Sequence, residues 1–222
     1  MTAKKPRIKL VCFDLDNTLV DFSPHNSAWD FLHDKLGVFE KSQKIKKDFF
    51  EGKINYDDWV RLDSGLWVEK KPLRKDLERH LRKAKPMKNA SNVLKKLKKK
   101  GLKLALISGS VDFILETFFP KGLFDYVVIE RSYFSRKGHL ERIDAFCKHE
   151  KLAHVKSIAK AEGLSLKEVA FVGDGFNDVE AVREVGLGIA FNSSVRKLEK
   201  AAKVVIMGKD FSKVLEAIEK HA

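Results

Sequence analysis

Six short, mainly apolar segments recur along this chain of 222 residues, each too brief to form a helix. Most of them are separated by stretches in which apolar residues have helical spacing, such as Val93, Leu94 and Leu97. Apolar strands that alternate with amphipathic helices indicate a parallel sheet covered by helices on both faces. The sequence therefore predicts an α/β fold, with strands at residues 8–13, 102–107, 126–129, 169–172, 187–191 and 204–206.

One long segment interrupts this alternation. Between about residues 20 and 86 there is no convincing strand, only helical spacing such as that of Trp29, Leu32 and Leu36. Roughly 65 residues between the first and second strands is too long for a simple crossover. We interpret residues 20–86 as a helical cap domain inserted into a Rossmann-like parallel-sheet core made of residues 1–19 and 87–222. A small hairpin is also predicted within residues 133–140.

The charge of the chain is concentrated in one segment. The formal net charge is +13, and residues 70–103 hold fifteen basic residues against two acids, Asp76 and Glu78. The remainder is balanced, so we name residues 70–103 the basic belt. Helical spacing predicts that most of its charges lie on solvated helix faces, and that only residues 70–88 are placed to attract anionic substrates. Nucleic-acid binding, or action on polynucleotide ends, is an alternative that no accompanying motif supports.

Composition also bears on the cellular setting. Cys12 and Cys147 form no CxxC or other metal-binding spacing, which argues against a disulfide scaffold or a zinc site. No apolar stretch approaches the ~18 to 20 residues that span a bilayer, and the N-terminal residues contain no signal-peptide core. We expect a cytoplasmic protein with no membrane partner. The sequence does not indicate an oligomeric state.

Acidic residues follow two of the predicted strands. Asp14 and Asp16 come directly after the first strand, and Asp174 and Asp178 follow the strand at 169–172. Ligands of open parallel sheets bind beyond the carboxyl ends of the strands. Carboxylates that stand so close together are costly unless a cation neutralises them. Oxygen ligands of this kind suit Mg²⁺, which also binds substrate phosphate.

A third polar motif follows the strand at 102–107. Ser108, Gly109 and Ser110 precede a helix that is predicted to start near Val111. A hydroxyl group and free backbone N–H groups at a helix N-terminus form a ready phosphate site. We therefore predict that this motif binds an anionic group.

Taken in order, these motifs resemble the haloacid dehalogenase superfamily of aspartate-nucleophile phosphohydrolases. The resemblance comprises DxDxT at residues 14–18, Ser108 at a strand end, a lysine, and GDGxND at residues 173–178. A lone DxDxT is a weak signal, but four elements in the correct order are specific. The insertion directly after the first motif is similar to that of the phosphoserine phosphatase-like branch, and the resemblance covers nearly the whole chain.

The resemblance implies a role for each acid. Asp14 would be the nucleophile that forms an aspartyl-phosphate, and Asp16 would protonate the leaving oxygen and then activate water. The Mg²⁺ site would comprise Asp14, Asp16 through its backbone carbonyl, Asp174 and Asp178. Asp178 and Asn177 would orient this shell of ligands.

The resemblance also implies substrate contacts. Thr18 and Ser108 would form hydrogen bonds with the phosphoryl oxygens or with the nucleophile loop, and Gly109 and Asn177 would also contact the substrate. By contrast, Asn192 is predicted to be an ordinary turn residue. The aromatic residues Phe50, Tyr56, Trp59 and Trp67 are predicted to form the core of the cap rather than to contact substrate.

Several lysines could supply the active-site cation. Lys148, Lys151, Lys156 and Lys160 all lie in the matching region. A helix is predicted to begin near residue 151, so only its first turn reaches the reactive edge of the sheet. We favour Lys151, and Lys156 is the alternative.

We expect Mg²⁺-dependent hydrolysis of a small phosphorylated metabolite. In phosphoserine phosphatases the cap contributes a glutamate and an arginine that hold the amino acid. In a gapless register those positions hold Ser23 and Asp63, although Arg61 is close by. Because loss of the carboxylate-binding cation weakens substrate binding, another small phosphomonoester is favoured over phosphoserine. Phosphoserine phosphatase activity and a phosphotransferase or phosphomutase reaction are the alternatives.

Overall fold

The structure is a computed structural model that describes residues 7–148 and 150–221. Nine strands form within this part of the chain. They are β1 (Leu10–Phe13), β2 (Val20–Asp21), β3 (Lys85–Pro86), β4 (Lys103–Val111), β5 (Tyr126–Phe134), β6 (Leu140–Asp144), β7 (Val169–Gly173), β8 (Leu187–Phe191) and β9 (Val204–Ile206).

The helices fall into two groups along the chain. The first group lies between β2 and β3 and consists of α1 (Ala28–Lys35), α2 (Phe39–Phe50), α3 (Tyr56–Glu69) and α4 (Arg74–Leu81). The second group comprises α5 (Ala90–Lys99), α6 (Asp112–Phe118), α7 (Lys151–Ala161), α8 (Val179–Glu184), α9 (Arg196–Ala201) and α10 (Ser212–Glu219). Among the described residues, no helix combines the length and the hydrophobicity needed to cross a bilayer.

Seven strands form one sheet in the order β6-β5-β4-β1-β7-β8-β9. All neighbouring pairs are parallel except β5 and β6, which are antiparallel. The central strand β1 has four buried residues whose side chains alternate between the two faces. Leu10 and Cys12 belong to a core cluster with residues of α7, α8 and α9, whereas Val11 and Phe13 belong to one with α5, α6 and α10. This arrangement confirms the predicted α/β fold.

The segment between β2 and β3 differs from the sequence prediction in one respect. We predicted no strand within residues 20–86, but Val20 and Asp21 pair in antiparallel fashion with Pro86 and Lys85. A strand of two residues is too short to produce a periodic pattern, and the sequence therefore contains no signal for it. This two-stranded ribbon stands where the chain leaves the core and where it returns.

Two core strands also extend further than their apolar segments. β4 continues to Val111 and β5 to Phe134, where β6 pairs with β5 across a turn at residues 135–139. The predicted hairpin therefore joins the edge of the main sheet. Its turn contains Gly138 at φ 83°, a conformation that favours glycine.

Many charges of the basic belt are paired. Arg74 contacts Glu116 of α6 at 2.7 Å, and Lys98 contacts Asp125 at 3.5 Å. Further pairs are Lys88 with Asp210, Lys100 with Glu219, and Lys103 with Glu162. Most of these side chains are at least one-third exposed, so each pair contributes little stability. They do, however, connect the belt to acids elsewhere in the core.

Two glycine substitutions test the packing of the fold. A Cβ added at Gly188 in β8 would lie 2.0 Å from the Val182 carbonyl oxygen of α8, whereas one added at Gly65 in α3 meets nothing within 4 Å. Gly188→Ala should lower the free energy of unfolding by about 1–3 kcal/mol. Gly65→Ala should raise it by about 0.5–1 kcal/mol, since alanine is the better helix former. Urea unfolding measures both, and a Gly188→Ala protein as stable as the parent would contradict the close packing of β8 on α8.

Candidate active site

The carboxyl ends of β1, β4 and β7 meet at the middle of the sheet edge. Phe13 of β1 is the register partner of both Leu106 in β4 and Val172 in β7. Asp14 follows directly, and its backbone N–H donates to the Val172 carbonyl oxygen at 3.0 Å. Ser108 and Asp174 each stand two residues beyond those partners. Three predicted site residues from distant parts of the chain therefore lie at the same edge.

Three carboxylates form a compact cluster there. Asp14, Asp174 and Asp178 each offer an oxygen, and these oxygens all lie within 4.8 Å of one another. Asp178 Oδ2 accepts hydrogen bonds from the backbone N–H groups of Asp174 at 3.1 Å and Gly175 at 2.9 Å. Glycine is required at position 173, because a Cβ there would lie 2.4 Å from the Asp178 carboxyl group. Asp178 therefore fixes the loop that carries Asp174.

Lys151, the first residue of α7, brings a positive charge to this cluster. Its Nζ lies 2.9 Å from Asp14 Oδ1 and 2.6 Å from Asp178 Oδ1, and its side chain is 1% exposed. The alternative candidate Lys156 is exposed, and so is Lys160. Lys148 pairs with Asp57 of α3 at 3.0 Å. Of these four lysines, the structure brings Lys151 alone to the carboxylates.

Burial and mutual repulsion shift the proton affinities within the cluster. Burial raises the pKa of Asp174 well above its usual value, and the Asp14 and Asp178 carboxylates add to this shift. Burial also raises the pKa of Asp178 to about 6, although Lys151 opposes the change. For Lys151, burial alone would lower the pKa, but Asp14 and Asp178 raise it above its ordinary value. The carboxylates are therefore poorly compensated by Lys151 alone.

This cluster fits a divalent metal ion. The donors are carboxylate oxygens, which Mg²⁺ prefers. Three carboxylates face one ammonium group, so a divalent cation would offset the remaining negative charge. Asp14, Asp174 and Asp178 are the side chains that would hold it. The contact predicted for the Asp16 backbone carbonyl stays a prediction.

Asp16 lies beside the cluster and connects the core to α1. Its Oδ2 accepts from the backbone N–H of Ala28, the first residue of α1, at 2.8 Å. Its Oδ1 is buried and has no partner at standard hydrogen-bond geometry, although the Ser110 hydroxyl is close enough to oppose the rise in the pKa of the carboxyl group. Burial raises the pKa of Asp16 to about 7, and the neighbouring Asp14 carboxylate adds to the effect. A carboxyl group with a pKa near neutrality can both donate and accept a proton.

We predicted that Thr18 contacts the phosphoryl oxygens or the nucleophile loop, but in the structure it contacts Asp174. Thr18 is fully buried, and its Oγ1 donates to Asp174 Oδ1 at 2.8 Å. Ser193 Oγ donates to the Asp174 backbone carbonyl oxygen at 2.6 Å. Both hydroxyl groups therefore position Asp174. Sequence reasoning missed Ser193, whose only signal is its place shortly after β8.

A cavity of about 540 Å³ opens above the cluster, between the core and helices α1–α3. The predicted substrate-binding residues Ser108, Gly109 and Asn177 line it, as do Asp14, Asp16 and Asp174. Asn192, which we predicted to be an ordinary turn residue, also lines the cavity and has φ 49°. The cavity size is within the range typical of small-molecule sites.

The aromatic residues of the cap divide into two sets. Trp67 is fully buried and stacks on Trp29, with ring centroids 4.6 Å apart. Phe50, Tyr56 and Trp59 line the cavity, in contrast to their predicted place in the cap core. They also contact one another, so the same rings serve packing and lining.

Two hydrogen bonds that sequence reasoning missed join the cap to the core. Trp29 Nε1 donates to the Gly109 carbonyl oxygen at 2.9 Å, and the Tyr56 hydroxyl donates to Glu130 Oε1 at 2.7 Å. Glu130 is fully buried in β5 and also accepts from the backbone N–H groups of Phe146 and Cys147. An acidic residue directly after the apolar segment 126–129 was the available signal for this contact.

Comparison with known proteins places this geometry in a family. The model of the haloacid dehalogenase-like hydrolases matches residues 8–186. A phosphoserine phosphatase of Methanocaldococcus jannaschii is 31% identical over 214 residues, covering 95% of this chain and 98% of the relative. One of Lactococcus lactis is 29% identical over 224 residues, covering 96% of each.

A solved structure of similar fold agrees with these relatives. It is a phospho-aspartyl intermediate analogue of phosphoserine phosphatase, with a TM-score of 0.75 and 30% identity, and it covers 95% of this chain and 98% of that chain. This chain belongs to the haloacid dehalogenase-like hydrolases, in their phosphoserine phosphatase-like branch, and is a phosphoric monoester hydrolase. The family resemblance predicted from the motifs is therefore confirmed.

Replacement of Lys151 tests the charge balance of the cluster. Lys151→Met leaves the buried Asp14 and Asp178 carboxylates without their cation, which should lower the free energy of unfolding by about 3–5 kcal/mol. Phosphatase activity should fall about 10²- to 10³-fold, because the positive charge beside Asp14, the predicted nucleophile, is lost. Lys156→Met, at an exposed position of the same helix, is the matched control and should change neither quantity. Equal behaviour of the two variants in an aryl phosphate assay would refute a role for Lys151.

Proposed function

We propose that this hydrolase cleaves small phosphomonoesters through an aspartyl-phosphate that forms on Asp14. The observation that carries the proposal is the buried contact of Lys151 with both Asp14 and Asp178 at the base of the cavity. This contact orients the Asp14 carboxylate while leaving it among the residues that line the cavity. A substrate phosphate that enters there meets one carboxylate oriented for attack and a second, Asp16, beside it.

The first step transfers the phosphoryl group to the protein. An oxygen of Asp14 forms a bond to phosphorus as the bond between phosphorus and the ester oxygen breaks. The leaving oxygen takes a proton from Asp16, which lines the cavity together with Asp14. Ser108, Gly109 and Asn177 line the cavity around the predicted phosphate position, where hydroxyl, amide and backbone groups can bind phosphoryl oxygens.

The second step releases phosphate. Asp16, now ionised, takes a proton from water, and the water oxygen attacks phosphorus. The bond between phosphorus and the Asp14 oxygen breaks, which restores the Asp14 carboxylate and leaves Asp16 protonated. One carboxyl group, that of Asp16, therefore serves as the acid in the first step and as the base in the second.

Mg²⁺ is the cofactor that this proposal includes. Bound by Asp14, Asp174 and Asp178, it would neutralise negative charge around the transferred phosphoryl group. The chain's own residues prepare that site. Thr18 and Ser193 hold Asp174, and the loop N–H groups hold Asp178.

A nucleic-acid substrate receives less support than a small metabolite. The basic belt is partly paired with core acids, and the cavity is bounded by the cap helices. Phosphoserine phosphatase activity and phosphoryl transfer to an acceptor other than water stay alternatives within the same chemistry. The predicted cytoplasmic location stays a prediction, with which two buried, free cysteines agree.

Removal of the nucleophile is the direct test. Asp14→Asn should reduce Mg²⁺-dependent hydrolysis of p-nitrophenyl phosphate to background, because an amide oxygen is a poor nucleophile. Acid-quenched parent protein should carry a base-labile phosphoryl group, and the variant should carry none. Undiminished turnover by Asp14→Asn would refute the assignment. Transfer of phosphate to added glycerol in preference to water would instead favour a phosphotransferase.

Asp16 is tested by the choice of leaving group. Asp16→Asn should lower turnover of an alkyl phosphate by about 10²- to 10⁴-fold, since its leaving oxygen needs a proton. p-Nitrophenolate leaves without protonation, so this variant should release it in a stoichiometric burst and then stall as the phosphoenzyme. Rapid-quench kinetics measures the burst. Equal losses with both leaving groups, and no burst, would contradict the acid/base role.

A further inference from the structure

Three acidic side chains line the cavity away from the carboxylate cluster. They are Asp21, Asp30 and Asp63. Asp21 Oδ2 lies 2.6 Å from Lys209 Nζ, and Asp30 Oδ2 lies 3.2 Å from Lys46 Nζ. These two carboxylates are therefore neutralised by lysines. Lys46 itself lines the cavity, but Asp30 already holds its ammonium group.

Asp63 has no lysine partner of this kind. It is 5% exposed, and among the described residues its ion-pair contact is with a histidine rather than with a lysine or arginine. Its neighbour among the basic side chains is His33, whose Nε2 lies 3.3 Å from Asp63 Oδ1 and offsets the carboxylate only when the imidazole is protonated. Neither of these two atoms makes a hydrogen bond to the described residues. Asp63 therefore presents to the cavity a carboxylate that no lysine or arginine neutralises, and such a group favours a cationic part of a ligand.

The surroundings of Asp63 favour a cation rather than an anion. Tyr56 and Trp59 lie on the same helix, α3, and line the same cavity. Trp29, from α1, also lines it. Aromatic rings attract an ammonium group through their negative faces, and a carboxylate adds direct charge attraction. A substrate carboxylate brought to this wall would instead face a like charge.

We propose that Asp63 binds an ammonium group of the substrate, so that the preferred phosphomonoester is an aminoalkyl phosphate without a carboxylate. This inference rests on the proposed phosphatase function and specifies its substrate class. It also explains why Asp63 stands at the position where the resemblance predicts a carboxylate-binding arginine. The charge of the recognition site is thereby reversed.

The test compares substrates that differ in the charge of the organic group. The probes are phosphoethanolamine and phosphocholine, which carry a cation, phosphoglycolate, which carries a carboxylate, and phosphoserine, which carries both. The ratio of kcat/KM for the two cationic probes over phosphoglycolate should be about tenfold or more in the parent protein. The kcat/KM for phosphoserine should lie between that for the cationic probes and that for phosphoglycolate.

Asp63→Asn keeps the shape of the side chain and removes its charge. This variant should reduce the ratio about tenfold, toward unity. Because the ratio is measured within one protein, a general loss of folded protein cancels. Asp58→Asn is the matched control: it lies on the same helix, its side chain is 41% exposed, and it pairs with Arg61. That control should leave the ratio unchanged.

Each other outcome overturns the inference. A parent protein that prefers phosphoglycolate or phosphoserine would contradict it. If Lys46→Met then abolished that preference, Lys46 would be identified as the residue that binds the substrate carboxylate. An unchanged ratio in Asp63→Asn would also contradict the inference. Turnover of p-nitrophenyl phosphate distinguishes failure of this inference from failure of the proposed function. If the parent protein hydrolyses p-nitrophenyl phosphate but shows no preference for cationic substrates, only this inference fails. If that turnover is absent from the parent protein, the proposed function fails as well.

Discussion

Carboxylates that follow neighbouring strands of a parallel sheet repel one another, and the rest of this site depends on how that repulsion is balanced. Lys151 contacts Asp14 and Asp178 from the first turn of α7 and is itself almost completely buried. A buried charge is tolerated only where its partners are close and well fixed. The two partners here are fixed by β1 and by the loop after β7. The position at which α7 begins must therefore match the register of the central strands closely enough for Lys151 to reach both carboxylates.

The same edge of the sheet also holds the cap in place. Asp16 accepts from the first backbone N–H of α1, and Gly109 at the end of β4 accepts from Trp29 of α1. Tyr56 of α3 reaches the buried Glu130 in β5. Each of these core residues follows the apolar segment of its strand within three residues. Since Asp16 and Gly109 line the same cavity as Asp14, the packing of α1 against the core and the order of the carboxylate cluster are physically connected.

The sequence predicted the parts of the protein whose signal is local. Strands covered on both faces are apolar throughout, and this pattern predicted β1, β7 and β8. Acids that follow β1 and β7 indicated the cluster of Asp14, Asp174 and Asp178. The β2–β3 ribbon gave no signal because two residues cannot show a period. The hydrogen bond between Trp29 and Gly109 joins residues far apart in the chain, and it depends on how the cap docks. The identity of Thr18 as a partner of Asp174 likewise required the three-dimensional register.

The β2–β3 ribbon has a consequence for how such a protein can change. Because the outgoing and returning segments lie side by side, the four helices between them form a closed excursion whose two ends are joined at one point of the core. The entropic cost of closing a loop grows only slowly with its length. The excursion could therefore be lengthened, shortened or replaced with little effect on the register of β1, β4 and β7. The helices α1–α3, which bound the cavity, and the strand ends, which carry the carboxylate cluster, can in this sense change independently of each other.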